Sequence, residues 1–123
     1  MALNLIKKAQ EVSTLSKLMI GREKYDLEKL INSFPQGVHI NAIEFITLDD
    51  QEVIVFTVQE KPQEFMFGGV CVKDLFKKLL KEVDGDYEEL YASVEEYPIP
   101  VKLYRDKTKD GKRDITKIEV LDE

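Results

Sequence analysis

Between Val38 and Val72 three β-rich runs follow one another, His39 to Leu48, Val53 to Glu60 and Glu64 to Val72, divided by Asp49-Asp50 and by Lys61-Pro62-Gln63. β-Branched and aromatic residues crowd these runs, and aspartate pairs and proline are what end strands. From Lys73 to Val83 the period changes. Leu75, Phe76, Leu79, Leu80 and Val83 fall three and four apart, the spacing of one helical face. A second hairpin, Val101 to Val120, closes the pattern. Any fold of this chain must therefore accommodate strand, strand, strand, helix, strand, strand in that order.

In the first hairpin a two-residue turn at Asp50-Gln51 predicts Phe45 opposite Phe56 and Ile43 opposite Val58 on one face. The other face then pairs Ile46 with Val55 and Leu48 with Val53. Both faces are apolar, so each needs a cover, from the N-terminal helices, a second subunit or a ligand. Gly68-Gly69 suits a sharp corner where side chains would collide. In the second hairpin Asp110-Gly111 is a preferred type I′ turn pair. It sets Val101 opposite Val120, Leu103 opposite Ile118, Lys102 opposite Glu119 and Tyr104 opposite Lys117. Residues 105 to 114 then project beyond the apolar pairs as a polar ribbon.

Around this frame, Leu3 to Met19 has roughly helical spacing, and Asp26 is placed to cap a helix at LEKLINSF that Pro35-Gln36-Gly37 stops. A further short helix fits DYEELYASVEEY, with Tyr87, Leu90, Tyr91 and Val94 inward. A length of 123 residues is that of one domain, read as an N-terminal helical arm over 1–24 and a single domain over 25–123. The element order is that of an OB-fold. The expectation is a mainly β, α+β chain: a five-stranded OB-like barrel, a helix between strands 3 and 4, and short N-terminal helices.

Net charge is −6, which as an average opposes a nucleic-acid partner. The average hides a segregation. Residues 101–117 hold seven lysines and arginines against three carboxylates, whereas residues 26–100 hold six against sixteen. A basic finger on an acidic body says more about partners than the total does. The single cysteine, Cys71, and single histidine, His39, form neither a disulfide nor a Cys/His metal site. No long apolar run or secretory layout is present, so no membrane partner and a cytoplasmic location are expected, in the host cell if the gene is a phage's.

In an OB-fold the ligand crosses strands 2 and 3, between the loops joining strands 1 and 2 and strands 4 and 5. Lysine and arginine meet phosphates there, and aromatic rings stack bases. The candidate nucleic-acid-binding residues are accordingly Lys102, Tyr104, Arg105, Lys107, Lys109, Lys112, Arg113 and Lys117 on the last hairpin, with Phe65 and Phe67 as the aromatics. The competing explanations are that a charged hairpin keeps an edge soluble and that strand phenylalanines fill a core. Chemistry is not expected. Asp49-Asp50 and Glu95-Glu96 are neighbours rather than an opposed carboxylate pair, and no phosphate-cradling glycine loop or nucleophile elbow appears. Asp84, Asp86, Glu88 and Glu95 have a calcium-loop spacing, but Glu89 stands where that loop needs glycine. No metal or cofactor is expected, and an acidic helix start accounts for these residues.

Five segments also carry a resemblance: Ile20-Gly21-Arg22-Glu23-Lys24, Phe34-Pro35-Gln36-Gly37-Val38, Phe67-Gly68-Gly69, Val101-Lys102-Leu103 and Lys107-Thr108-Lys109-Asp110-Gly111. Over about residues 18 to 121 the chain resembles small proteins of phages and integrated mobile elements of low-GC Gram-positive bacteria. The resemblance implies a replication-associated or accessory role, and some phage proteins of this size are single-stranded-DNA-binding OB proteins. It supplies no catalytic residues. Unlike the bacterial single-strand-binding family, the chain has no long linker and no acidic tail ending in an aromatic, so recruitment through such a tail is not implied. The expected function is sequence-independent binding of single-stranded DNA. The alternative is a module whose acidic body docks a phage or host protein, with the doubly apolar hairpin also open to self-association.

Overall fold

The computed structural model describes residues 18–121. Its elements run β1 (Glu23–Lys24), α1 (Leu27–Ser33), β2 (Val38–Leu48), β3 (Gln51–Val58), β4 (Glu64–Gly68), α2 (Val70–Glu82), α3 (Tyr87–Glu96), β5 (Ile99–Lys107) and β6 (Asp114–Val120). The six strands form one sheet in the order β1-β4-β3-β2-β5-β6. The fold is thus mixed α+β. Two features differ from the expected five-stranded barrel. β1 adds a sixth strand, parallel to β4 through Glu23 opposite Glu64 and Lys24 opposite Phe65. No ladder joins β4 to β6 among the described residues, so barrel closure is not found.

β2 is the longest strand, and it changes the face it turns to the core. A bulge falls between Ile40, opposite Val58, and Ala42, opposite Thr57. Asn41 is the extra residue, and its side-chain oxygen accepts the Thr57 hydroxyl at 2.6 Å. An inserted residue shifts the two-residue alternation by one. Val38 and Ile40 before the bulge and Ile43 after it therefore enter the same core, with Phe56, Met66, Val72, Phe76 and Leu103.

The first hairpin turns at Asp49-Asp50, not at Asp50-Gln51. Leu48 pairs with Gln51, Ile46 with Val53, Phe45 with Ile54 and Ile43 with Phe56. Asp49 and Asp50 have φ of 50° and 63°, the left-handed pair that a two-residue I′ turn requires and that aspartate tolerates. The predicted pairs are displaced by two residues. A two-residue slip keeps every side chain on its face, so the doubly apolar reading stands. The second face holds a separate cluster, Ile46, Val55 and Phe65, with Leu18, Met19, Val53 and Phe67 packed on it. Leu18 to Lys24, assigned above to an arm, therefore join the sheet and its second cluster. The rest of the Leu3–Met19 helix lies outside the described residues.

Helix α1 is capped as its sequence implies, the Asp26 carboxylate accepting the Glu28 amide at 2.8 Å. α2 starts earlier than expected, at Val70, with Gly69 as its N-cap. A Cβ on Gly68 would meet Ile54 Cγ2 at 2.6 Å and Val72 Cβ at 2.9 Å, so glycine is what lets the helix start against β3. Lys77 of α2 ties the layers together. Its ammonium meets Glu52 of β3 at 2.7 Å and the Tyr87 hydroxyl at 3.2 Å, and lies 4.7 Å from the centre of the Phe45 ring. The Glu52 hydrogen bond raises the Lys77 pKa above its ordinary value, against the opposing effect of burial.

Beyond Ile40, no strand among the described residues pairs with β2 on its β5 side, because β5 pairs only with Val38, His39 and Ile40. α3 covers that edge. The Tyr91 hydroxyl accepts the Phe45 amide at 2.8 Å, and burial raises the Tyr91 pKa. α3 begins on Asp86, which accepts the Glu89 amide at 3.2 Å.

Two substitutions test this packing by urea unfolding. Gly68→Val is expected to lower stability by about 2 kcal/mol, since neither Ile54 nor the first turn of α2 has room to move. Asp50→Gly is expected to raise it by about 1 kcal/mol by relieving the left-handed turn residue.

Candidate nucleic-acid interface

The β5–β6 hairpin has the predicted register: Val101 pairs with Val120, Lys102 with Glu119, Leu103 with Ile118 and Tyr104 with Lys117. Its tip differs in detail. The last bridge is Lys107 to Asp114, and beyond it the Thr108 amide donates to the Arg113 carbonyl at 2.9 Å. The Gly111 amide then donates to the Thr108 carbonyl at 2.8 Å. Gly111 has φ of 70°, but Asp110 is not left-handed, so the turn is not the expected I′ pair at Asp110-Gly111. The Asp110 carboxylate holds the loop instead, accepting from the Thr108 hydroxyl and, at 3.0 Å, from the Lys112 amide.

These contacts divide the cations into two sets. In the stem, Lys107 meets Asp114 at 2.8 Å, Lys117 meets Asp106 at 2.9 Å, and Arg105 donates to the Thr116 hydroxyl at 2.8 Å. Lys102 is exposed and stands opposite Glu119 in the ladder. At the tip Lys109, Lys112 and Arg113 are all exposed and have no ion-pair partner among the described residues. The side-chain hydrogen bond from Lys117 holds the Asp106 pKa below the ordinary aspartate value, and the same contact raises that of Lys117. Lys107 likewise lowers Asp114, while the Thr108 hydroxyl and then the Lys112 amide lower Asp110. Lowered carboxylate pKa values mean pairs that are complete above the ordinary value of 3.8 and lost only as pH falls through the lowered ones. At neutral pH Lys107 and Lys117 are therefore paired, whereas Arg105 and Lys102 have no ion pair with a carboxylate among the described residues.

The aromatic candidates divide in the same way. Tyr104 is half-buried on the hairpin, lining a shallow groove with Cys71, Leu75 and Lys117. Phe65 and Phe67 line neither groove beside the hairpin, although Gly69 to Cys71, which follow β4, do. Phe65 is only 6% exposed and belongs to the second cluster, as a strand phenylalanine does when it packs. Phe67 is half-buried, edge-on to Phe65 with ring centres 5.7 Å apart. It lines an open cleft of about 490 Å³ with Lys24, Tyr25, Asp26, Leu27 and Lys29. The Lys24 ammonium lies 5.3 Å from the centre of the Phe67 ring, and Lys61 lies 4.7 Å from that of Tyr25. Sequence reasoning missed Lys24 and Lys29 because a two-residue parallel strand leaves no periodicity. The basic excess near Arg22 and Lys24 was the one available signal.

His39 is tied to Glu60. Its backbone amide and Nδ1 meet the two Glu60 oxygens at 2.9 and 2.8 Å. Burial alone would raise the Glu60 pKa, but these hydrogen bonds outweigh it and the value is lowered. No group of three or more metal-ligating side chains occurs among the described residues, nor any helix long and apolar enough to cross a membrane.

A six-stranded α+β sheet with a projecting basic hairpin is the class that fold and site define. Compared with known proteins, the chain matches no family model, no curated protein and no solved structure.

Carboxyl-detected NMR titration checks the stem. Asp106, Asp110 and Asp114 are expected to titrate below the ordinary aspartate range, and Lys117→Met should move Asp106 back toward it while leaving Asp110 where it was.

Proposed function

We propose that the protein is a non-catalytic, sequence-independent single-stranded-DNA-binding protein of a phage or mobile element, on an OB-like, partly open barrel. Support for the OB-like reading comes from the element order and from the long hairpin after the helix. The observation that carries the DNA reading is the set of three tip cations, Lys109, Lys112 and Arg113, lacking carboxylate partners among the described residues of an otherwise acidic chain. Cations already paired with carboxylates offer a phosphate little, because binding must first break the pair. The tip is therefore the contact, and the stem aspartates limit how far it extends.

Three phosphate contacts on a single strand give a slope of about −2 in a plot of log affinity against log salt. Fluorescence anisotropy with a thymidine oligonucleotide at low salt should show saturable binding with a slope near that value. Changing Lys109, Lys112 and Arg113 together to Glu should abolish it. The pair Asp106→Asn and Asp114→Asn should release Lys117 and Lys107, raising affinity and steepening the slope by about 1.4. Absence of binding by the unaltered protein at low salt would refute the DNA reading.

A second reading, a protein-docking module, is favoured by a different surface. α3 carries no lysine or arginine and exposes Glu88, Glu89, Glu95 and Glu96. Beside it an apolar groove of about 260 Å³ runs along Leu79, Val83, Leu90 and Val94 to Tyr97, which is 71% exposed. A stoichiometric protein partner that survives nuclease treatment and is lost on Tyr97→Asp would decide for this reading.

A further inference from the structure

From the cleft between β1, α1 and β4 we infer a second nucleic-acid contact, a site for one base and its phosphate, formed by Phe67 with Lys24 and Lys29. It rests on the DNA reading above and extends the binding path to the opposite edge of the sheet from the hairpin. The geometry has three parts. The Phe67 ring lines the cleft and stands at 90° to Phe65, with ring centres 5.7 Å apart. The Lys24 ammonium lies over that ring, 5.3 Å from its centre. Lys24 and Lys29 are both exposed and line the cleft, against one carboxylate, Asp26, whose Oδ1 is engaged by the Glu28 amide.

An ammonium over a half-buried phenylalanine is held weakly, and a nucleobase stacked on the same ring is held more strongly. A base entering the cleft therefore displaces Lys24 from the ring, and the displaced ammonium is left beside the phosphate of that nucleotide. Desolvation of the ring is shared by base and lysine stem. The cleft selects for neither sequence nor sugar, since stacking on a phenylalanine reads no base edge. β1 and β6 end the strand order, so the cleft and the hairpin tip are separate contacts, and a longer oligonucleotide engages both where a short one engages one.

The chain contains no tryptophan, so Phe67→Trp places a single reporter in the cleft without removing the aromatic face. With thymidine oligonucleotides of about 4 and about 16 nucleotides, spanning the usual range of OB site sizes, tryptophan quenching and anisotropy are followed in parallel. The expected result is quenching that saturates with the same midpoint as anisotropy. In the otherwise unaltered protein, Lys24→Gln with Lys29→Gln should weaken the longer oligonucleotide about tenfold, and Phe67→Leu by a similar factor. Binding seen by anisotropy without quenching, and undiminished by Lys24→Gln with Lys29→Gln, overturns the cleft site while leaving the DNA reading standing. No binding by anisotropy in any form of the protein removes the DNA reading, and the cleft with it.

Discussion

The bulge at Asn41 is the constraint from which the remaining architecture follows. β2 is hydrogen-bonded to β5 only from Val38 to Ile40 and to β3 along nearly its whole length. If its alternation ran unbroken, Val38 and Ile40 would face away from the side that Ile43 and Phe45 face. One extra residue, held by the Asn41–Thr57 contact, puts all of them toward α2. The strand bends there, parts from β5, and leaves an open edge from Asn41 onward. Buried amides on such an edge must be satisfied, and the Tyr91 hydroxyl does this for Phe45. The position of α3, and with it the long acidic surface, is thus a consequence of where β2 departs from its neighbour.

The three aspartates of the last hairpin explain why an excess of cations need not make an extended basic surface. Asp106 and Asp114 each hold a lysine of the stem, and Asp110 shapes the loop that presents Lys109, Lys112 and Arg113. Their lowered pKa values have the same origin, hydrogen bonds to the charged carboxylate, so these roles persist across the neutral range. A sequence count of +4 over residues 101–117 treats all seven cations alike. The folded hairpin separates those that are occupied from those that are available.

Much of the framework was legible in the sequence because it depends on local chemistry. Asp26 reads as a cap and acts as one, the acidic start of DYEELYASVEEY opens a helix, and Val101, Leu103, Ile118 and Val120 align through apolar pairing. The first hairpin departs by two residues from the register a turn at Asp50-Gln51 predicts, because Asp49-Asp50 are the turn itself. Neither residue is glycine, so the left-handed pair carried no composition signal. What depended on distant residues was not legible. The bulge at Asn41 is justified only by Thr57 sixteen residues on, and the parallel pairing of Glu23-Lys24 with β4 joins segments with no shared pattern. Fold analogy brings Phe65 and Phe67 to the ribbon, whereas Phe65 packs in the second cluster and Phe67 lines the cleft beside β1, where Lys24 meets it.

A chain with net charge −6 can still present a phosphate-binding edge because charge acts locally in salt water. At physiological ionic strength the screening length is about 8 Å, less than two strand spacings, so a carboxylate farther off hardly changes what a tip lysine experiences. What matters is the nearest partner, and there the tip and stem of the hairpin differ. As salt is lowered the screening length grows toward about 30 Å, and the carboxylates of α3 and the central strands then act on the same phosphate. Attraction at the tip and repulsion from the body strengthen together. On the DNA reading proposed above, the acidic surface of α3 would therefore repel a nucleic-acid strand most strongly just where it carries no lysine or arginine.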